Sequence, residues 1–99
     1  RDRSPSRGLG DVYKRQFTKC FMGTNGISIT AGFTTPDVNE ARVKAAAIES
    51  SRKAYILADH SKFDDISSAT FAQLSRAEII TDMLTKRKYA EYTVIKEVL

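Results

Sequence analysis

The fold of this chain is decided by residues 54–62, which read AYILADHSK. The first five are apolar and do not alternate with polar residues, a pattern typical of a strand covered on both faces of a parallel sheet. The polar residues 59–62 follow at once and predict a loop at the end of that strand. Open α/β sheets bind ligands outside the carboxyl ends of their strands, so this loop lies where a binding site is expected.

A second strand and a second polar turn are predicted upstream. Residues 20–22 are a short apolar run that should form a strand ending at Gly23. In the turn of Thr24, Asn25 and Gly26 that follows, backbone N–H groups and a threonine hydroxyl can hold an anion or sugar hydroxyls. The alternative is an ordinary turn, because Asn-Gly is a frequent turn dipeptide.

A helix is predicted between these two segments. Thr35 is expected to cap it, with Pro36 at the first helical position and Asp37 in the first turn. The helix should run to about Arg52. Its apolar stripe is predicted to consist of Val38, Ala41, Ala45 and Ile48.

Further short elements are predicted downstream. Strands are expected at residues 70–72, 79–82 and 93–95, with one helical turn at 75–78 and a polar, mostly helical stretch at 85–92. Strand and helix patterns that alternate at these intervals predict parallel βα units and therefore the α/β class.

Several polar side chains near these strand ends are candidates for binding. Lys62 offers a mobile positive charge for a phosphate, and Asp59 can accept hydrogen bonds from sugar hydroxyls or orient Lys62. The alternative for both is a solvated loop with an exposed ion pair. Lys44, one turn past Glu40 on the predicted helix, is either a ligand contact or a surface lysine that pairs with Glu40. His60 is expected to be a surface histidine, because nothing in the sequence supplies a partner to orient it.

The first sixteen residues differ in composition from the rest. They hold five Lys or Arg, two Asp, and Pro-Ser and Gly-Leu-Gly breakers. We expect residues 1–16 to be a disordered, non-native leader that looks like translated adapter sequence, and a native arm that grips nucleic acid is the alternative. Residues 17–99 then hold eleven Lys or Arg against ten Asp or Glu, so most of the net charge of +4 belongs to the leader. The remainder is not expected to bind DNA.

Length and composition narrow the class of protein further. Ninety-nine residues allow one domain with a modest core. No apolar run approaches the roughly eighteen residues of a membrane span, and no secretory signal is present. The single cysteine, Cys20, is expected to be buried in a protein of the reducing cytoplasm. No metal or cofactor is expected, because the single histidine has no partner ligands.

The order and spacing of residues 23–27, 32–37 and 58–63 resemble the C-terminal sensor domain of the DeoR family of bacterial sugar-operon repressors. The resemblance runs from about Phe17 to the C-terminus. It implies a partial parallel-sheet, Rossmann-like domain of the ribose-5-phosphate isomerase and CoA-transferase type that senses a phosphorylated sugar. The resemblance implies that the ligand-binding residues are Thr24, Asn25, Gly26, Lys44, Asp59, Ser61 and Lys62.

A sugar-phosphate isomerase-like or deaminase-like enzyme is the alternative function. Ribose-5-phosphate isomerases are similar at residues 58–59 and 61–62, but they carry Gly-Ala-Asp-Glu where residues 23–26 read GTNG. These isomerases also place a catalytic Glu next to a lysine, whereas Lys44 of this chain is preceded by Val43. Isomerisation requires a positioned base, so we expect no enzymatic activity. A third alternative is an α/β fragment without a competent site.

The resemblance also implies partners. DeoR-type repressors begin with a winged helix-turn-helix and carry an earlier phosphate loop in the sensor domain, and neither is found in this sequence. We therefore expect residues 17–99 to be the C-terminal portion of an effector-binding domain. DNA contact is expected only through the missing helix-turn-helix, and the full-length protein is expected to form a homo-oligomer.

Overall fold

The computed structural model describes residues 17–98, which form seven strands, one α-helix and three short 3-10 turns. In chain order the strands are β1 (Phe17–Gly23), β2 (Gly26–Ser28), β3 (Gly32–Thr35), β4 (Ser51–Leu57), β5 (Ala69–Ala72), β6 (Glu78–Thr81) and β7 (Ile95–Glu97). Helix α1 (Val38–Glu49) lies between β3 and β4. The 3-10 turns are His60–Lys62, Leu74–Arg76 and Arg87–Glu91. The prediction of a disordered leader at residues 1–16 lies outside the described residues.

The strands form two sheets. A four-stranded parallel sheet has the order β1-β4-β6-β7, and a three-stranded antiparallel sheet has the order β2-β3-β5. The parallel sheet and the helix confirm the α/β class. The prediction of regularly alternating βα units is wrong, because only the connection from β1 to β4 contains an α-helix within residues 17–98. The antiparallel sheet was not predicted.

Helix α1 is shorter than predicted at both ends. Asp37 caps it, because its carboxylate accepts the N–H of Asn39 at 2.8 Å. The prediction of Thr35 as the cap with Pro36 at the first helical position is wrong, since Thr35 is the last residue of β3. The helix also stops before Arg52, because β4 has already begun at that residue.

Three of the four residues predicted for the apolar stripe of α1 pack on the core. Ala41 and Ile48 are buried, and Ala45 packs against the core, but Val38 is 56% exposed. The helix therefore packs against both sheets through a narrow stripe of two alanines and Ile48.

The core lies between α1, the antiparallel sheet and one face of the parallel sheet. Its fully buried apolar side chains are Ile27, Phe33, Ile56, Ile79 and Tyr89. Cys20 is half-buried and packs against this core.

The opposite face of the parallel sheet is open among the described residues. Ala54 and Ile56 of β4 are buried, whereas Leu57 is 47% exposed. Phe21 is 58% exposed and stacks on Tyr55, with 4.9 Å between the ring centroids. The prediction that β4 is covered on both faces is therefore wrong for the described residues.

The segments after β5 depart most from the predicted boundaries. The predicted helical turn at residues 75–78 is a 3-10 turn at Leu74–Arg76 that has no side-chain cap. The predicted helical stretch at 85–92 is a 3-10 turn at Arg87–Glu91, and the last strand begins two residues later than predicted. No helix among the described residues is both long enough and apolar enough to cross a membrane.

Tyr89 fastens the C-terminal segment to the core. Its side chain is fully buried, and its hydroxyl lies 2.5 Å from the Asp64 carboxylate and 3.1 Å from the Ile27 carbonyl. Its ring meets Phe63 edge-on, with the centroids 4.9 Å apart. Asp64 has a φ of 71°, a left-handed conformation that is uncommon for a residue other than glycine. The bond from Tyr89 helps to hold this conformation.

Replacing Tyr89 by phenylalanine keeps the buried ring and removes the hydroxyl. We expect Tyr89→Phe to lower the free energy of unfolding by about 1–3 kcal/mol, because the charged Asp64 acceptor loses its hydrogen bond. Urea unfolding followed by circular dichroism measures the difference. The control is Tyr92→Phe, at a tyrosine that is 47% exposed, where we expect a change within about 0.5 kcal/mol. Equal effects of the two substitutions would contradict the role of the Tyr89 hydroxyl.

Candidate functional site

Three loops leave the carboxyl edge of the parallel sheet side by side. Gly23, the last residue of β1, pairs with Leu57 of β4, and Leu57 pairs with Ile80 of β6. The turn after β1 and the loop after β4, which carry most of the predicted binding residues, therefore begin on neighbouring strands. The segment after β6 lies next to them.

The turn after β1 directs most of its donors into the protein. The Thr24 hydroxyl lies 2.9 Å from the Thr34 carbonyl and 3.0 Å from the Gly26 carbonyl, and the Asn25 N–H donates to the Thr34 carbonyl at 3.0 Å. A Cβ at Gly26 would stand 2.3 Å from the Asp65 carbonyl oxygen, so close approach of the chain requires glycine there. Of the three predicted residues in this turn, Asn25 alone is exposed.

A chain of hydrogen bonds joins Asn25 to helix α1. The Thr35 hydroxyl lies 3.2 Å from the Asn25 side-chain oxygen and makes a short hydrogen bond with the Glu40 carboxylate. A hydroxyl has one proton, and the charged carboxylate is the stronger acceptor. With its amide turned over, Asn25 would donate to Thr35 and complete both bonds. The first turn of α1 thereby orients the Asn25 side chain.

Lys44 lies one turn further along α1 and reaches the same strand end. Its ammonium group donates to the Gly23 carbonyl at 2.8 Å and lies 5.1 Å from the centroid of the Phe71 ring. The predicted pair between Lys44 and Glu40 is absent from the described residues, where Glu40 bonds Thr35 instead. Lys44 thus brings a positive charge to the end of β1 while fastening the helix to that strand.

The loop after β4 is organised by Asp59. Its carboxylate accepts the hydroxyl of Ser61 in a short bond and the N–H of Ser61 at 2.8 Å. These two bonds, with a smaller contribution from Lys62, hold the pKa of Asp59 below its usual value. Within residues 17–98 the Lys62 ammonium has neither a hydrogen bond nor an ion pair. The loop therefore presents a carboxylate and an uncommitted cation.

His60 is held by Asp82, the first residue after β6. Its backbone N–H donates to one oxygen of the Asp82 carboxylate at 2.8 Å, and its ring Nδ1 lies 2.8 Å from the other. The bond from His60 is the main reason why the pKa of Asp82 falls to about 2, and Asp82 raises the pKa of His60. The prediction that His60 has no partner is wrong.

Asp82 is the residue of this region that sequence reasoning missed. It is 22 positions from His60 in the chain and becomes its neighbour only through the pairing of β4 with β6. The available signal was its position, since Asp82 follows an apolar strand just as Asp59 does. Among residues 17–98 no group of three or more His, Cys, Asp or Glu side chains is arranged to hold a metal ion.

The arrangement offers positive charge from Lys44 and Lys62, acceptors on Asp59 and a polar amide on Asn25. In open α/β sheets the carboxyl edge of the strands is the usual place where small ligands bind. The family follows from comparison with known sequences, because the model of the DeoR C terminal sensor domain matches residues 9–83. The chain belongs to this family, and the resemblance described from the sequence is confirmed. The match begins eight residues before Phe17, the predicted start of the domain.

Individual relatives are similar over most of this chain. It is 50% identical over 91 residues to a protein of Bacillus subtilis named as the uncharacterized HTH-type transcriptional regulator FruR. The aligned region covers 89% of this chain and 36% of FruR. It is 34% identical over 80 residues to the regulator IolR of the same organism, covering 80% and 32%. It is 37% identical over 70 residues to the regulator GlpR of Haloferax volcanii, covering 70% and 28%. The chain thus spans about a third of the length of these curated relatives.

The contact of His60 with Asp82 can be measured directly, because the chain has one histidine. We expect the His60 ring to titrate above the usual pKa of 6.5, and Asp82→Asn to move it back toward that value. A raised histidine pKa means that the contact stabilises the fold at low pH and loses this contribution as pH rises through the folded-state pKa.

Proton NMR of the untagged protein between pH 4 and 9 measures this titration. Glu97→Gln is the control, since the Glu97 carboxylate accepts the N–H of Leu84 at 2.7 Å in the same region without touching His60. A His60 pKa that is equal in the parent and in Asp82→Asn would show that the contact is absent in solution.

Proposed function

We propose that this chain is the effector-binding part of a transcriptional repressor of sugar-utilisation genes, and that its effector is a phosphorylated sugar. The family supports the regulatory role, because the relatives are named as HTH-type transcriptional regulators. The observation that supports the site is the register of β1 against β4. Gly23 pairs with Leu57, so the Asn25 turn and the Lys62 loop start from adjacent strands.

The proposed binding mode assigns each polar group a task. Lys62 pairs with the phosphate, because its ammonium is uncommitted among the described residues. Asp59 accepts hydrogen bonds from sugar hydroxyls as the carboxylate anion, and its lowered pKa extends the anionic form to more acidic pH. Asn25 contributes an exposed amide, and the charge of Lys44 lies beside the end of β1.

The remaining predicted residues, Thr24, Gly26 and Ser61, act by shaping the two loops. The Thr24 hydroxyl and the backbone of Gly26 fix the turn after β1, and the Ser61 hydroxyl fixes the Asp59 carboxylate. A ligand that competed for these donors would have to break a bond within the protein. The proposal therefore gives them a smaller share of the affinity than Lys62 or Asp59.

The regulatory step in this proposal is allosteric. The effector shifts a repressor between two conformations only to the extent that it binds one of them better. DNA contact is proposed for a helix-turn-helix in the part of the relatives that this chain does not span. The finer assignments, a Rossmann-like fold of the ribose-5-phosphate isomerase and CoA-transferase type, a homo-oligomer and a cytoplasmic location, belong to the same proposal.

Enzymatic isomerisation is not part of the proposed function. Its chemistry needs a positioned base, and Glu40, the carboxylate one turn from Lys44, is bonded to Thr35. We expect no measurable isomerisation of ribose 5-phosphate in a coupled assay. Turnover that persists through repurification and disappears in Glu40→Gln would overturn this expectation.

The binding proposal is tested by calorimetric titration of the full-length protein that contains this sequence. The ligands are glucose 6-phosphate, fructose 6-phosphate and ribose 5-phosphate. We expect Lys62→Ala to weaken binding of the best ligand by roughly 1.5–3 kcal/mol, the usual worth of a charge-assisted hydrogen bond. Asp59→Asn should also weaken binding and leave the fold intact. Lys19→Ala is the control, because Lys19 is an exposed lysine four residues before the end of β1.

The outcome separates the proposed site from other surfaces. If Lys62→Ala and Asp59→Asn bind the best ligand as tightly as the parent does, the effector binds elsewhere. An equal loss of affinity in Lys19→Ala would mean that net charge, and not the Lys62 position, governs binding.

A further inference from the structure

The loop that carries Asp59 and Lys62 is fastened to the protein at two ends. At its far end Phe63 is buried, and the N–H of Asp64 donates to the Ile27 carbonyl at 2.6 Å. At its near end the N–H of Ala58 donates to the Ile80 carbonyl at 3.0 Å, and the next contact with the protein is that of His60 with Asp82. Between these points the hydrogen bonds of Ser61 and Lys62 within residues 17–98 all stay inside the loop. Between Ala58 and Phe63, the Asp82 carboxylate is therefore the group outside the loop that holds it, among the described residues.

The Asp82 carboxylate is itself rigidly held. One oxygen accepts the N–H of Met83 at 2.8 Å, the N–H of His60 at 2.8 Å and the hydroxyl of Thr81 at 3.1 Å. The other oxygen faces the His60 ring at 2.8 Å. The donors on Thr81 and Met83 thus fix the orientation of the carboxylate. The carboxylate in turn holds His60 in place.

We infer that Asp82 is a positioning residue for effector binding: through the backbone and ring of His60, its carboxylate holds the Asp59–Lys62 loop in the geometry that receives the ligand. This inference rests on the proposed function, and it requires no contact between Asp82 and the effector. Preorganisation of this kind raises affinity because the loop does not lose further freedom when the ligand binds.

The strength of this fastening depends on the charge of His60. Among the described residues, the charged groups that act on the ring are Asp82, across the sheet edge, and Asp59 on its own loop. When the ring is protonated the contact is an ion pair as well as a hydrogen bond, and when it is neutral only the hydrogen bond remains. The loop is therefore held more firmly below the His60 pKa than above it.

Asp82→Asn, Asp82→Ala and the control Glu97→Gln test the inference. Calorimetry measures affinity for ribose 5-phosphate and for inorganic phosphate at pH 5.5 and 8.5, and hydrogen exchange of the His60 amide is followed by NMR. We expect Asp82→Ala to weaken binding and to speed exchange by about tenfold, the usual effect of losing a charge-assisted hydrogen bond. Glu97→Gln should change neither.

The pH profile separates positioning from general destabilisation. In Asp82→Asn the loss of affinity relative to the parent should be about threefold at pH 5.5 and close to none at pH 8.5, because the amide keeps a hydrogen bond but cannot form the ion pair. Titration of the phosphate group of the ligand cancels in this ratio. Asparagine has nearly the same shape as aspartate, so the Asp82→Asn variant should fold. It can therefore be measured even if Asp82→Ala fails to fold.

Two results would overturn the inference. One is a His60 amide that exchanges equally fast in the parent and in both Asp82 variants. The other is an affinity ratio between the parent and Asp82→Asn that is the same at both pH values. If neither ligand binds the parent, the proposed function fails, and the exchange rates still decide whether Asp82 holds the loop.

Discussion

The parallel pairing of β1 with β4 is the constraint on which the rest of this structure depends. Its register sets Gly23 beside Leu57 and so decides which loops lie at the same edge of the sheet. The 27 residues between these two strands must return the chain to the starting edge, because parallel neighbours require a crossover. They do so through β2, β3 and α1, which cover one face of the sheet and bury Ile27 and Phe33.

The antiparallel sheet makes this crossover rigid. Its middle strand, β3, is buried along its whole length, and Thr35 at its end joins the turn after β1 to the first turn of α1. The same sheet contacts the loop after β4, where Ile27 receives Asp64 and Tyr89. A displacement of β2 would therefore move both loops at the carboxyl edge. The core and the polar surface of the domain are connected through these few contacts.

Sequence reasoning succeeded where a structural signal is local and failed where it is not. The apolar runs of β1 and β4, the helix between them and the turn at Gly23 all carry patterns within a few residues, and each is present. A strand at residues 70–72 was predicted and is present as β5. Its antiparallel pairing with β3, and that of β3 with β2, was missed because β2 and β3 have three and four residues, too few for a period to be read. The contact of His60 with Asp82 was missed because it depends on the pairing of β4 with β6, which no local pattern encodes.

The face of the parallel sheet that residues 17–98 leave open affects how this chain behaves in concentrated solution. The stacked rings of Phe21 and Tyr55 and the side chain of Leu57 form an apolar surface beside β1, which has one strand neighbour among the described residues. Such a strand can recruit another chain and start aggregation. Lys19 and Lys53 lie on the same face and face each other across the two strands. Charged side chains at a sheet edge oppose such pairing, and Lys53 does so less because Glu78 neutralises it in an ion pair at 2.6 Å.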